Sequence, residues 1–165
     1  MAPFHLSYQW LSFTRPQGPP QPVPEGLERH WVNTPNGKLE ILSATPSKPS
    51  GPPIFFCHGG MGSAWVWTEY MQYLSARGST CYAISLRGHG ESWHPPYLRM
   101  VFATSRHMLG DDLVTGIEWA QARENSQVIL VGHSSGGGLC QGILSEGRVD
   151  VKALALLGAV PAYGS

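Results

Sequence analysis

This sequence of 165 residues has no excess of either charge, no long hydrophobic run and few cysteines. Its 11 basic and 11 acidic residues balance, so there is no electrostatic reason for a nucleic acid or an anionic membrane to bind it. No apolar run approaches the roughly 20 residues that a transmembrane helix needs. Residues 1–10 lack the basic and apolar regions of a secretory signal. We therefore expect a cytoplasmic protein with no nucleic-acid partner and no membrane span.

The cysteines are odd in number and far apart, at Cys57, Cys81 and Cys140. We expect buried free thiols in a reducing compartment, with a disulfide or a metal site as the alternative. Neither a metal nor a cofactor is expected. The hydrophobic content of 42% is ordinary for one globular domain.

Prolines dominate residues 15–24, which predicts an extended arm over residues 1–26, followed by a globular domain over residues 27–165. The arm is interpreted as a leader or linker. A short proline-motif ligand for another protein is the alternative.

After the arm, strand and helix patterns alternate. Asn36 and Gly37 suit the turn of a hairpin between strands at residues 30–32 and 38–44. Asp111 and Asp112 follow Gly110 and are expected to cap a helix there. Repeated strand–helix units predict an α/β fold with a mostly parallel, doubly wound sheet and helices on both faces. The other predicted strands lie at residues 54–57, 80–86, 127–131 and 151–157, and the helices at residues 63–77, 111–123 and 139–146.

An apolar run at residues 128–131 leads into a serine that has a glycine two positions away on each side. Gly132-x-Ser134-x-Gly136 is the pattern of a nucleophile elbow, where a strand turns sharply into a helix. Side chains at the flanking positions would collide in that turn, and glycine removes the collision. Ser134 is therefore the predicted nucleophile, because Ser135 would place His133 where a small residue is needed. A glycine-rich turn without chemistry is the alternative.

No histidine follows Ser134, and the acidic residues after it are Glu146 and Asp150. A serine hydroxyl is a weak nucleophile until a nearby base takes its proton. In elbow sites the acid and the histidine usually follow the serine along the chain. The sequence therefore predicts a nucleophile whose histidine and acid come from elsewhere.

Two glycine-rich strand ends precede the elbow: His-Gly-Gly-Met-Gly at residues 58–62 and Ser-Leu-Arg-Gly-His-Gly-Glu-Ser at residues 85–92. In this order, the three motifs resemble the α/β-hydrolase superfamily over residues 27–163. The resemblance implies a truncated α/β-hydrolase fold that lacks the last strands and the cap. It also implies that the strand at residues 151–157 has an open edge.

The resemblance further implies roles for individual residues. The backbone amides of Gly60, or of Met61 if the loop is set one residue differently, and of Ser135 would form the oxyanion hole. Met61, Trp65 and Trp67 are candidate substrate contacts, with core packing as the alternative for the two tryptophans. Three histidines match loop-stabilising positions of the family motifs rather than its base: His58, His89 and His133.

Three functions remain open. The first is a serine hydrolase that acts on a small acyl or lactone substrate (an ester, lactone, thioester or amide) through an acyl-enzyme, completed by a carboxy-terminal partner chain or a homo-oligomer. The second is an inactive truncated homologue that binds a small acyl or lactone-like ligand. The third is a protein-interaction module that acts through the proline-rich arm.

Overall fold

A computed structural model describes residues 18–162, in which six strands form a sheet with helices on both faces. The strands are β1 (Glu28–Thr34), β2 (Gly37–Ala44), β3 (Ile54–Cys57), β4 (Cys81–Ser85), β5 (Ile129–His133) and β6 (Ala153–Leu157). The helices are a short 3₁₀ helix (Ala64–Trp67), α1 (Thr68–Ser75), α2 (Tyr97–Ala103), α3 (Arg106–Glu124) and α4 (Ser134–Ser145).

The strands lie in the order β1-β2-β4-β3-β5-β6. β4, β3, β5 and β6 are parallel to one another, whereas β2 pairs antiparallel with both β1 and β4. Parallel neighbours cannot be joined by a tight turn, so helices supply the crossovers. The predicted α/β fold with a mostly parallel, doubly wound sheet is confirmed.

Successive residues of the central strands face opposite layers of the molecule. Phe55 packs in the cluster under α3 and α4, whereas Phe56 packs in the cluster under the 3₁₀ helix and α1. Both side chains are almost fully buried, and each burial contributes about 1.5–3 kcal/mol. Burial on both faces explains why β3 is apolar at every position instead of alternating with polar residues.

The predicted hairpin is present, but its turn lies one residue earlier than expected. Thr34 pairs with Gly37, so Pro35 and Asn36 form the centre of the turn. Proline suits the first central position because its fixed φ matches that of a type I turn. A Cβ at Gly37 would lie 2.4 Å from the ring of Trp93, so glycine leaves room for that ring.

The prediction that Asp111 and Asp112 cap a helix is wrong. α3 begins at Arg106, and the Ser105 hydroxyl caps it by accepting a hydrogen bond from Met108 N. Asp112 is 1% exposed and accepts two bonds of 2.7 Å from the Arg87 guanidinium, with a third from the Arg87 backbone amide. Asp112 therefore fastens α3 to the loop after β4.

The remaining expectations concern the proline-rich arm, a helix, membrane spans and the cysteines. Residues 1–17 of the predicted arm and residues 163–165 lie outside the described residues, and residues 18–24 form neither helix nor strand. α2 was not predicted.

In the part that the structure describes, no helix is long and apolar enough to cross a membrane. The three cysteines of the predicted thiol set are buried and free: Cys57, Cys81 and Cys140.

We expect Asp112→Asn to lower the free energy of unfolding by about 3–5 kcal/mol, because it leaves the buried Arg87 guanidinium without a counter-charge. Asp111→Asn is the matched control, since Asp111 is half-exposed and pairs with Arg148 at the surface. Its loss should cost less than about 1 kcal/mol. Urea unfolding of the two variants measures both values, and equal losses would contradict a structural role for the buried pair.

β6 forms one edge of the sheet and pairs with β5 alone among the described strands. Leu154 is 37% exposed, and Leu156 and Leu157 are each 43% exposed. An apolar edge strand with free backbone groups is a template for pairing with another strand.

We expect the 165-residue chain alone to self-associate at micromolar concentration through β6. Leu156→Lys should shift sedimentation-velocity profiles towards monomer, because a charged side chain on an edge opposes strand addition. Leu98→Lys is the control, as Leu98 is 67% exposed on α2, away from this edge. A compact wild-type monomer, or an equal effect of both substitutions, would rule out association through β6.

Candidate active site at the elbow

The turn from β5 into α4 places Ser134 in a conformation that side chains rarely adopt. Its φ is +52°, and among the described residues only Asn125 shares a positive φ without being glycine. Such a conformation costs about 1–3 kcal/mol and persists where the surrounding structure imposes it. Here Val160 N donates to the Ser134 carbonyl at 3.1 Å. A strand, a turn and a helix follow one another as the motif predicted, although α4 begins at Ser134, five residues before the predicted start at residue 139. The nucleophilic role of Ser134 stays a prediction.

Close backbone contacts explain the glycines that flank the elbow. A Cβ on Gly136 would lie 2.1 Å from the carbonyl oxygen of His58. A Cβ on Gly132 would lie 2.6 Å from Cα of Gly137. Backbone atoms cannot move aside as a flexible side chain can, so both positions require glycine. The first turn of α4 thus packs directly against the end of β3.

The loop after β3 lies beside the elbow, at the carboxyl end of the parallel strands. A Cβ on Gly59 would be 3.0 Å from Cβ of Ser134, and one on Gly60 would be 3.3 Å from Oγ of Ser135. A pocket of about 520 Å³ opens between the loop and the elbow. Its lining consists of Gly59, Gly60, Met61, Gly62, Val66, His133, Ser134 and Ser135.

A second pocket of about 390 Å³ lies on the other side of Ser135. It shares Gly59 and Gly60 with the first pocket and has several apolar side chains in its wall: Leu86, Leu109, Leu139, Val160 and Pro161. Arg106 also lines it, with its guanidinium donating to the carbonyls of Gly138 and Ala162. The elbow therefore lies between two pockets, of which the second has more aliphatic side chains in its wall.

Of the predicted substrate contacts, Met61 lines the pocket beside Ser134 and is fully exposed. Trp67 is 4% exposed and stacks on Phe56, with ring centroids 4.8 Å apart, so it belongs to the core. The Trp65 indole N–H donates to a carboxylate oxygen of Glu40 at 3.2 Å. Neither tryptophan lines the two pockets at the elbow.

His58 is buried beneath the loop and held by backbone groups. Its Nδ1 lies 2.6 Å from the Gly59 carbonyl oxygen, and its Nε2 accepts the Leu86 amide at 3.1 Å. These contacts require a neutral ring with the proton on Nδ1. Burial lowers the pKa of His58 to about 4, opposed by the bond to Gly59 and assisted by the nearby His89. His58 is therefore neutral near pH 7.

A buried carboxylate that the sequence analysis missed, that of Glu40, supports the loop after β4. Glu40 is completely buried in β2 and accepts from Arg29 Nε at 2.9 Å, Ser85 Oγ at 2.8 Å and the Glu91 amide at 3.0 Å. With the bond from Trp65, it joins β1, the 3₁₀ helix and the loop after β4. The sequence signal for this site is a single acid within the apolar run of β2. A buried charge needs partners, so its position there indicates a hydrogen-bonded carboxylate.

In the described part of the chain, no base lies on the serine hydroxyl. Among residues 18–162, no imidazole hydrogen-bonds to Ser134 Oγ. The rings of His58 and His89 point their nitrogens at backbone groups. His133 lies edge-on to Trp67, with ring centroids 6.3 Å apart. In the same range no group of histidine, cysteine, aspartate and glutamate is placed to hold a metal ion.

Comparison with known proteins assigns the family. The model of the alpha/beta hydrolase fold matches residues 52–164, so the chain belongs to the α/β-hydrolase family. It is 32% identical over 108 residues to bifunctional epoxide hydrolase 2 of Sus scrofa, over 66% of this chain and 18% of that protein. An epoxide hydrolase from Vigna radiata superposes with a TM-score of 0.66 at 25% identity, over 80% of this chain and 40% of the other. A thioesterase domain from the curacin biosynthetic pathway gives 0.64 at 26% identity, over 84% and 49%. The chain thus spans less than a fifth of the curated relative and less than half of either structure.

We expect the stability of the fold to fall as the pH drops from about 6.5 towards 4. The pKa of His58 is lowered in the folded chain, so the unfolded chain takes up the proton first. The neutral His58 ring contributes up to about 3 kcal/mol to the free energy of unfolding. This contribution is complete above pH 6.5 and is lost on acidification. Urea unfolding over this pH range should show a flatter dependence for His58→Asn than for the control His107→Asn, whose ring is exposed. The same slope in both variants would contradict this assignment.

Proposed function

We propose that this chain carries the nucleophile and the oxyanion donors of a serine hydrolase that cleaves an ester, thioester, lactone or amide. The observation that carries the proposal is the positive φ of Ser134 at a strand-to-helix turn beside the Gly59–Gly60 loop. This strained turn is how enzymes of this fold present a nucleophile at the top of the sheet. The surrounding backbone contacts at Gly132 and Gly136 impose the strain and hold it.

In the proposed reaction, Ser134 Oγ attacks the carbonyl carbon of the substrate while its proton passes to a histidine. The tetrahedral intermediate expels the alcohol, thiol or amine, which takes that proton. Water then attacks the acyl-enzyme, releases the acid and returns the proton to Ser134. The histidine and its acid would come from a carboxy-terminal segment, a partner chain or a second copy, because no imidazole within residues 18–162 hydrogen-bonds to the serine hydroxyl.

The oxyanion of that intermediate would be held by the backbone amide of Ser135 and by an amide of the loop, Gly60 or Met61. Ser135 lies in the first turn of α4, where amide groups have no carbonyl partner within the helix. The positive end of the helix dipole also favours negative charge there. One such donor contributes about 3 kcal/mol to transition-state stabilisation.

The identity of the elbow residue favours an acyl substrate over an epoxide, although the relatives include proteins named epoxide hydrolases. A serine oxygen that opened an epoxide would form an ether, which water does not cleave under mild conditions. A serine oxygen that attacks an acyl carbon forms an ester, which an activated water hydrolyses. Ser134 therefore supports turnover on acyl compounds.

A second candidate is an inactive homologue that binds a small acyl or lactone-like ligand at the elbow. The observation that favours it is the Ser134 hydroxyl without an imidazole partner in residues 18–162. The two candidates differ in one measurable property, the reactivity of the serine towards a covalent phosphonylating probe.

We expect a fluorophosphonate probe to modify Ser134 in the protein isolated from its native source, because phosphonylation requires an activated serine. Trypsin releases residues 124–148 as one peptide, in which the exposed Ser126 serves as an internal control. Tandem mass spectrometry should locate the adduct on Ser134 and leave Ser126 unmodified. An unmodified peptide would favour the inactive homologue, and an adduct on another serine would refute the assignment of the nucleophile.

For the recombinant 165-residue chain alone, we expect p-nitrophenyl acetate hydrolysis no faster than that of its Ser134→Ala variant. Without the histidine and acid, only the oxyanion donors and binding would contribute. Saturable turnover that Ser134→Ala abolishes and Ser126→Ala preserves would place the base within this chain, with His89 and His133 as the first residues to test.

A further inference from the structure

The two loop amides that are the alternative oxyanion donors belong to residues whose own side chains do not fix the direction of the N–H. Gly60 has no side chain, and the side chain of Met61 is fully exposed and lines the pocket beside Ser134. The direction of each N–H is therefore set by whatever holds its peptide plane. In a trans peptide the carbonyl points opposite to the following N–H, so a bond to one carbonyl fixes the next amide.

The peptide between Gly59 and Gly60 is held by two donors. The Gly59 carbonyl oxygen lies 2.6 Å from His58 Nδ1 and accepts the Gly62 amide at 3.0 Å. His58 is 1% exposed and neutral near pH 7, so this anchor is part of the core. The direction of the Gly60 N–H follows from these bonds.

The next peptide, between Gly60 and Met61, is held from the opposite loop. The Gly60 carbonyl oxygen lies 2.9 Å from Nε2 of His89, which follows β4. Among the described residues no other side chain donates to that carbonyl. His89 therefore fixes the direction of the Met61 N–H and the exit path of the loop from Gly60.

His89 is itself rigidly presented. Its backbone holds it in place: the amide donates to the Leu86 carbonyl at 3.0 Å, and the carbonyl accepts the Ser92 amide at 3.1 Å. Nδ1 also faces the Arg87 carbonyl oxygen at 3.0 Å, but a ring with one proton donates to only one carbonyl, and the Gly60 bond requires that proton on Nε2. The buried pair of Arg87 with Asp112 anchors the same loop. A ring with this support holds a neighbouring peptide at a defined angle.

We propose that His89 is a positioning residue for the oxyanion hole, acting through the Gly60 carbonyl and not on the substrate itself. The inference rests on the proposed function and adds a residue to it. Removing the ring nitrogens frees the Gly60–Met61 peptide to rotate, and a rotated peptide no longer directs the Met61 amide at the intermediate, whereas the Gly60 amide stays held through the Gly59 carbonyl. Such donors act mainly in the transition state, so kcat should fall while KM changes little.

The test uses the protein that reacts with the probe, with His89→Phe, which removes both ring nitrogens, and His89→Gln, whose amide group can donate to the Gly60 carbonyl. His107→Phe is the control, because His107 is an exposed histidine on α3. We expect His89→Phe to slow fluorophosphonate modification of Ser134 by about 10- to 100-fold. His89→Gln should recover most of that rate, and His107→Phe should match the wild type. Hydrolysis of an ester should show the loss in kcat.

A crystal structure of His89→Phe supplies a readout that is independent of activity. We expect the Gly60–Met61 peptide to be rotated or present in two orientations, with Ser134 unmoved. An unchanged peptide would overturn the inference, as would wild-type labelling rates for a folded His89→Phe. If that variant does not fold, His89→Ala takes its place. A wild-type protein that never reacts with the probe contradicts the proposed function, and the crystal structure then decides the role of His89 alone.

Discussion

The contact between the end of β3 and the first turn of α4 is the constraint on which the rest of the site depends. The position of a Cβ on Gly136, 2.1 Å from the His58 carbonyl, shows that two backbones touch with no side chain between them. This approach brings the glycine loop beside Ser134. It also leaves the serine at a positive φ, because the chain must leave β5 and enter the helix within one residue. The pockets on either side of Ser135 follow from the same contact.

Buried charges, more than apolar packing, attach the loops around this contact to the sheet. Glu40 collects donors from three separate segments, and Asp112 holds the guanidinium of Arg87. Hydrogen bonds of this kind have direction, so they define loop geometry in a way that apolar contacts do not. The cost is the desolvation of the charges, which full pairing offsets. The loop that carries His89 is held by both carboxylates, through the Glu91 amide and through Arg87.

The features predicted correctly from the sequence are those that depend on neighbouring residues. Short apolar runs that alternate with helix patterns identified the sheet, and the glycines at positions 132 and 136 identified the elbow, because the elbow glycines are a local steric requirement. The start of α3, the helix α2 and the partners of Asp112 and Glu40 were missed. A carboxylate beside a glycine has the same local pattern whether it caps a helix or binds an arginine 25 positions away. Long-range pairing of this kind depends on the completed fold.

Three successive glycines, at positions 136 to 138, open the helix that carries the serine. Each costs about 1 kcal/mol of helix propensity relative to alanine, and a helix of 12 residues is marginal in water even with favourable residues. The stability of α4 therefore depends on its packing against β5 and β3, which pair in parallel with Ile54 opposite Ile129. Amide groups of its first turn should exchange with solvent sooner than those of the central strands, since they owe their protection to tertiary packing alone.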